Sequence, residues 1–171
     1  MIKIGITGQE GFVGTHLYNT IALFPEEFER VAYDIRFFGD EELLDQVVSQ
    51  CDVIVHLAAL YRHPDPQVLY DTNVGLVNTL IGSLNRTNSK AHVLLSSSSQ
   101  EERDNLYGKS KKDGRELLVA WAKSVGAPFT GLIIPNVFGP FGQPYYNSVI
   151  ATFSHQLSKG ETPQIQVDGE L

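Results

Sequence analysis

Ile2-Lys3-Ile4-Gly5-Ile6-Thr7-Gly8-Gln9-Glu10-Gly11-Phe12-Val13-Gly14 begins the chain and decides how the rest is read. An apolar run, Ile2 to Thr7, reads as a strand and passes directly into three glycines. Behind them Val13, Leu17, Ile21 and Phe24 recur on one face, which predicts a helix over Gly11 to Phe24, ended by Pro25. Glycines permit a tight turn and a close backbone approach. A helix that starts there points its free N–H groups at an anion. The spacing is G-x-x-G-x-x-G rather than the commoner G-x-G-x-x-G. A lone glycine triplet also suits a plain loop, but its place between first strand and first helix favours a dinucleotide.

Outward from this unit, short apolar runs alternate with amphipathic stretches. Strands are expected at Arg30 to Tyr33, Val53 to Ala58, His92 to Ser96 and Phe129 to Ile134. Asp40 caps a helix through Ser49 whose stripe is Leu43, Leu44, Val47 and Val48. Further helices are expected over Val74 to Leu84, over Tyr107 to Val125 with Leu118, Trp121, Ala122 and Val125 inward, and over Ser148 to Lys159, closed by Gly160. Strand–helix alternation without hairpin turns means right-handed βαβ units. The fold class is therefore α/β, a Rossmann-like, doubly wound parallel sheet, with residues 1–171 as a single NAD(P)-binding domain.

Composition narrows the function. At 171 residues with 42% hydrophobic and 19% charged positions, the chain is of one-domain size. A net charge of −7 argues against a nucleic-acid partner, which needs clustered Lys and Arg. No apolar run reaches the ~20 residues of a membrane span, and the first strand begins too early for a signal peptide. The one cysteine, Cys51, excludes an internal disulfide and fits the cytoplasm. Nothing beside Cys51 activates it, and none of the five histidines is spaced from another as a metal ligand, so no metal is expected.

Three further positions carry chemistry. Tyr107 and Lys111 stand at i and i+4 on one helix face. A phenol with an ordinary pKa of ~10 moves protons poorly at neutral pH, and a nearby ammonium favours its phenolate. Ser98, third in the run Ser96 to Ser99, stands at the carboxyl end of a strand, where its hydroxyl can bond a substrate oxygen. Asp34 closes the second strand about 20 residues past the glycines, where an acid binds ribose hydroxyls and favours NAD. Arg36 beside it suits the extra phosphate of NADP.

Together these residues resemble the extended short-chain dehydrogenase/reductase family, the NAD-dependent epimerase/dehydratase group acting on nucleotide sugars. The matching pieces occur in family order. They are Thr7-Gly8-x-x-Gly11-Phe12-Val13-Gly14, Asp52-Val53-Ile54-Val55-His56-Leu57-Ala58-Ala59, Asn73-Val74, Ser96-Ser97-Ser98, Tyr107-x-x-x-Lys111 and Pro135-Asn136-Val137-Phe138-Gly139-Pro140.

The resemblance implies that Tyr107 is the general acid/base, that Lys111 lowers its pKa and holds the nicotinamide ribose, and that Ser98 orients the reacting oxygen. Cofactor contacts would fall on Gly8, Gly11, Phe12, Val13 and Gly14, on Asp34 and Arg36, on Leu57, Ala58 and Ala59, and on Asn73, Ser96 and Pro135. Asn136 and Asn147 would meet the sugar nucleotide, and His56 would be structural. Homodimers are usual among such relatives.

The departures from the family pattern are informative. Ser99 and Gln100 stand where sugar-nucleotide dehydratases carry an acidic pair, which disfavours dehydration. The short segment from Ser98 to Tyr107 and the stretch Tyr146-Asn147-Ser148 resemble the reductases of UDP-linked amino-sugar ketones used in capsule and O-antigen synthesis. Ile133 replaces an arginine often found there. The short stretch before Asp52 implies that one usual strand is missing. Relatives continue past residue 171 with parts that hold the substrate, so the substrate-binding C-terminal part is expected to be truncated or missing. The activity expected is hydride transfer on a nucleotide sugar, as ketone reductase or epimerase. The alternative is a non-catalytic dinucleotide-binding or regulatory module.

Overall fold

The computed structural model describes residues 1–146 and 148–165. These fall into two compact units, Met1–Ile134 and Pro135–Leu171, and each is described by itself.

The first unit is a parallel sheet wrapped by helices. Its elements in order are β1 (Ile2–Thr7), α1 (Phe12–Ile21), β2 (Phe28–Val31), α2 (Glu41–Val48), β3 (Val53–His56), α3 (Pro66–Arg86), β4 (His92–Ser98), α4 (Leu106–Val125) and β5 (Phe129–Ile134). Two 3-10 turns intervene, Ile35–Gly39 after β2 and Ser99–Glu102 after β4. The strand order is β2-β1-β3-β4-β5, every neighbour pair parallel. Among the described residues no strand lies beyond β2, in keeping with the short connection to Asp52.

Strand direction decides which face each helix covers. The chain moves one way from β1 to β2 and the other way from β2 onward. Right-handed crossovers therefore put α1 on one face and α2, α3 and α4 on the other. Alternate residues of the strands serve these two faces. Ile54, Val93 and Leu95 join the α2–α3–α4 core with Leu80, Leu84 and Leu118, while Ile4, Ile6 and Val55 pack with Ile21 of α1. Leu80 and Leu118 are wholly buried, and each such side chain contributes ~2 kcal/mol of transfer free energy. The reversal leaves a crevice at the carboxyl ends of β1 and β3, where open parallel sheets receive ligands.

Local chemistry sets the helix ends. Asp40 accepts from Leu43 N at 3.1 Å, Asp65 from Gln67 N at 2.8 Å and Asn105 from Gly108 N at 2.7 Å, each an N-cap. Gly126 at φ 68° ends α4 in the left-handed conformation.

The expected elements shift in places. β2 starts and ends two residues earlier than the apolar run suggested, so Asp34 caps the following 3-10 turn instead of closing the strand. α3 begins at Pro66 rather than Val74, and β4 continues to Ser98. α1 stops at Ile21, with Phe24 exposed beyond it, and Leu43 and Val13 face outward.

In the second unit, α5 (Val149–Ser158) is capped by Ser148, which accepts from Ala151 N at 3.2 Å. Phe141 and Tyr145 hold positive φ there, at 65° and 59°. Among the described residues no helix is long and apolar enough to cross a membrane. No group of three or more described His, Cys, Asp or Glu residues is arranged to hold a metal ion.

Candidate active site

At the crevice the glycine turn is packed against the loop after β3. Gly8 adopts φ +74°, and a Cβ there would meet Ala58 N at 2.8 Å. A Cβ on Gly14 would stand 2.1 Å from Gly8 O, so the first turn of α1 lies directly on the loop. Gly11 is the N-cap and supplies no side-chain acceptor, which leaves the N–H groups at the start of α1 for another acceptor. Thr7 ties the two loops together. Its Oγ1 accepts from Ala58 N at 3.2 Å and lies 2.7 Å from His56 Nδ1. Leu57 and Ala59 flank Ala58 and are half-buried.

An ion pair stands after β2. Asp34 Oδ1 accepts from Arg36 N at 2.8 Å and Nε at 2.9 Å, and Oδ2 from Nη2 at 2.6 Å. These bonds hold the Asp34 carboxyl down at about 2. Gln9 anchors the neighbouring residue by donating to Tyr33 O at 2.6 Å, while its own Oε1 is buried without a partner.

At the other end, Ser98 closes β4 and Tyr107 and Lys111 share a face of α4. Ser98 Oγ accepts from Gln100 N at 3.1 Å, and the Ser98 hydroxyl acts on the Tyr107 phenol in favour of its phenolate. Gly108 makes this closeness possible, since any Cβ there would sit 1.9 Å from Gln100 O.

The electrostatic balance differs from the sequence expectation. The Tyr107 phenol is raised above its ordinary value because burial outweighs the opposing effect of the Ser98 hydroxyl. Lys111 is itself lowered to about 8 by burial, which the Glu101 carboxylate opposes. His56, fully buried, is pushed down to about 3 by burial and by the Lys111 charge, so it is a neutral, structural imidazole.

Not every expected contact faces the crevice. Asn73 is 4% exposed and its amide is spent on the protein: Oδ1 accepts from Leu60 N at 2.7 Å, and Nδ2 donates to Leu60 O at 2.7 Å and Ser110 Oγ at 3.0 Å. It positions the loop after β3. Ser96 likewise donates to His56 O at 3.3 Å. Pro135 and Asn136 belong to the second unit and are exposed. Asn147 lies outside the described residues.

Sequence reasoning missed Glu101 and Arg115. Arg115 Nη2 meets Glu101 Oε2 at 2.6 Å, its Nε meets Oε1 at 2.9 Å, and Ser97 Oγ also donates to Oε1. One signal was present: Tyr107, Lys111 and Arg115 repeat at i, i+4 and i+8 on one helix face.

Residues 4–171 match the NAD dependent epimerase/dehydratase family. The chain belongs to that family. It is 34% identical over 168 residues to the UDP-2-acetamido-2,6-beta-L-arabino-hexul-4-ose reductase of Pseudomonas aeruginosa, an alignment covering 96% of this chain and 43% of that protein. The crystal structure of the capsular polysaccharide assembling protein CapF from Staphylococcus aureus matches with TM-score 0.75 at 33% identity, over 97% of this chain and 43% of that one. UDP-glucose 4-epimerase from Thermotoga maritima, solved with UDP-glucose, shares the fold with TM-score 0.85 at 21% identity, over 99% of this chain and 67% of that one. The expected likeness to reductases of UDP-linked sugar ketones is thus met. The chain spans less than half the length of the first two relatives.

Proposed function

We propose that this member of the epimerase/dehydratase family is an NAD(P)-dependent oxidoreductase acting on a UDP-linked sugar, as ketone reductase or epimerase. The observation that carries the reading is the convergence of Ser98 at the end of β4 with Tyr107 at the start of α4, whose phenol feels the Ser98 hydroxyl, and with Lys111 buried one turn on. The crevice suits a dinucleotide: α1 has an uncapped start, and the buried Oε1 of Gln9 is an acceptor without a donor. The Gly8–Gly14 turn would receive the pyrophosphate on its N–H groups. Asp34 would take the ribose hydroxyls, favouring NAD(H), and Arg36 would turn to the phosphate of NADP(H). When bound, the dinucleotide supplies or accepts the hydride.

The chain's own residues handle the proton. In reduction Ser98 holds the ketone oxygen, and the Tyr107 phenol gives that oxygen its proton as the carbon gains the hydride. The Lys111 ammonium then stabilises the phenolate that remains. Oxidation runs the same transfers backward, and epimerisation uses both directions on one sugar carbon. Asn136 and Asn147 are proposed sugar-nucleotide contacts. A homodimer in the cytoplasm fits the family and the one-cysteine composition.

Tyr107→Phe tests the assignment. NADH and NADPH affinity, read by fluorescence titration, should persist while turnover falls by roughly 10²–10⁴-fold. Unchanged turnover would sink it. The second reading is a non-catalytic dinucleotide module. Dinucleotide binding that no UDP-sugar alters would favour that module.

A further inference from the structure

The polar groups around Lys111 come from four elements. From β3 it meets the neutral imidazole of His56. From the 3-10 turn Ser99–Glu102 it meets the Glu101 carboxylate. Its own helix contributes Tyr107 at one side and Arg115 at the other, the latter ion-paired to Glu101; Lys112 pairs outward with Glu102 at 4.0 Å. From α3 the polar group at this level is the amide of Asn73, which bonds Ser110. Glu101 is the anion whose charge favours the Lys111 ammonium against its burial.

Glu101 is also tightly bound in place. Its side chain is 5% exposed, its Oε1 accepts from Ser97 and from Arg115 Nε, and its Oε2 accepts from Arg115 Nε at 3.1 Å and Nη2 at 2.6 Å. Ser97 precedes Ser98 on β4, and Arg115 lies one turn beyond Lys111 on α4. The carboxylate therefore joins the strand that carries Ser98 to the helix that carries Tyr107 and Lys111. Between its anchor points run Gln100, whose N–H fixes Ser98 Oγ, and Gly108, which lies against Gln100 O.

We propose that Glu101 is a positioning residue of the Ser98–Tyr107–Lys111 site: gripped by Ser97 and Arg115, it locks the turn between β4 and α4 and places a fixed negative charge beside Lys111. The role of Lys111 rests on the function proposed above, but the lock and the charge do not. Grip and charge are separable. Glu101→Gln removes the charge and turns an NH2 donor toward Arg115, whereas Arg115→Lys keeps both charges and loses only the bidentate fork.

The test reads Lys111 and the turn directly. In the Glu101→Gln variant of the full chain, NMR of labelled lysine, assigned by the signal lost in Lys111→Met, should show Lys111 titrating at a lower pH than in the parent protein. In Arg115→Lys that midpoint should hold, while amide exchange at Gln100 and Gly108 accelerates. An unchanged Lys111 midpoint in folded Glu101→Gln overturns the charge role. Should that variant not fold, the Arg115→Lys exchange pattern decides, and protection equal to the parent overturns the lock. Neither readout uses turnover. A lowered midpoint in a chain that shows no UDP-sugar effect would sink the enzymatic reading and leave this inference standing.

Discussion

Two acid–arginine pairs flank the crevice, and they are built alike but placed differently. Asp34–Arg36 and Glu101–Arg115 each close at 2.6 Å with the guanidinium forked onto the carboxylate. In the first pair Arg36 is 84% exposed and the partners are two residues apart. In the second Glu101 is 5% exposed, and the partners join a turn to a helix across 14 positions. Geometry alone does not say what an ion pair does. In water the pairing is weak and exchangeable, which suits a group that must release its partner when a ligand arrives. Away from water each partner depends on the other, because a lone buried charge is poorly solvated.

The largest difference should appear on truncation. Glu101→Ala leaves Arg115 without its carboxylate and Ser97 without its acceptor, and should destabilise the fold by about 3 kcal/mol. That is the low end for a broken buried pair, because Arg115 is 29% exposed. Asp34→Ala should cost much less, the loss of a cap on an exposed turn. Chemical denaturation of both variants checks this, and equal losses would erase the distinction between the pairs.

A smaller effect follows from pH. Arg115 and Ser97 hold the Glu101 carboxyl below its ordinary value, burial opposing them. A folded pKa below the unfolded one gives stability that is full above the unfolded value of about 4.3 and is lost as pH falls through the folded one. Unfolding free energy measured from neutral pH downward should therefore decline in the acid range, and Glu101→Gln should remove part of that decline. An identical acid profile in the variant would mean that the pair contributes nothing to folding.

The contrast also marks what the sequence could convey. Asp34 and Arg36 were legible because both lie within one local segment, next to a glycine turn with a known job. Ser98, Tyr107 and Lys111 were legible for the same reason, as a strand end and a helix face. Glu101–Arg115 was not, because its meaning arises only when α4 folds back onto the turn. The parallel sheet and the helix identities followed from alternation, yet boundaries slipped where tertiary pairing decides. β2 is fixed by its register with β1, Ile2 to Phe28 through Gly5 to Val31, and not by its own apolar run. The start of α3 was missed although Asp65 and Pro66 form an N-cap and first-turn proline, a signal weaker in period than the stretch after Val74. Asn73 looked like a ligand contact from its motif, and only the structure shows its amide already spent.

The smallest predicted effect bears on the exposed pair. If Arg36 leaves Asp34 to meet the ribose phosphate, then Arg36→Ala should weaken NADPH by about tenfold and leave NADH nearly unchanged. The same release predicts a salt dependence. Raising salt from ~0.05 to ~0.5 M shrinks the Debye length from about 14 to 4 Å, so NADPH should lose affinity faster than NADH in the parent chain and no faster in the variant. Titrating both dinucleotides against both proteins at the two salt concentrations gives the answer. An unchanged NADPH-to-NADH ratio in Arg36→Ala would mean that the fork never opens. Asp34–Arg36 would then be a fixed cap on the turn after β2, and exposure alone would not have made it exchangeable.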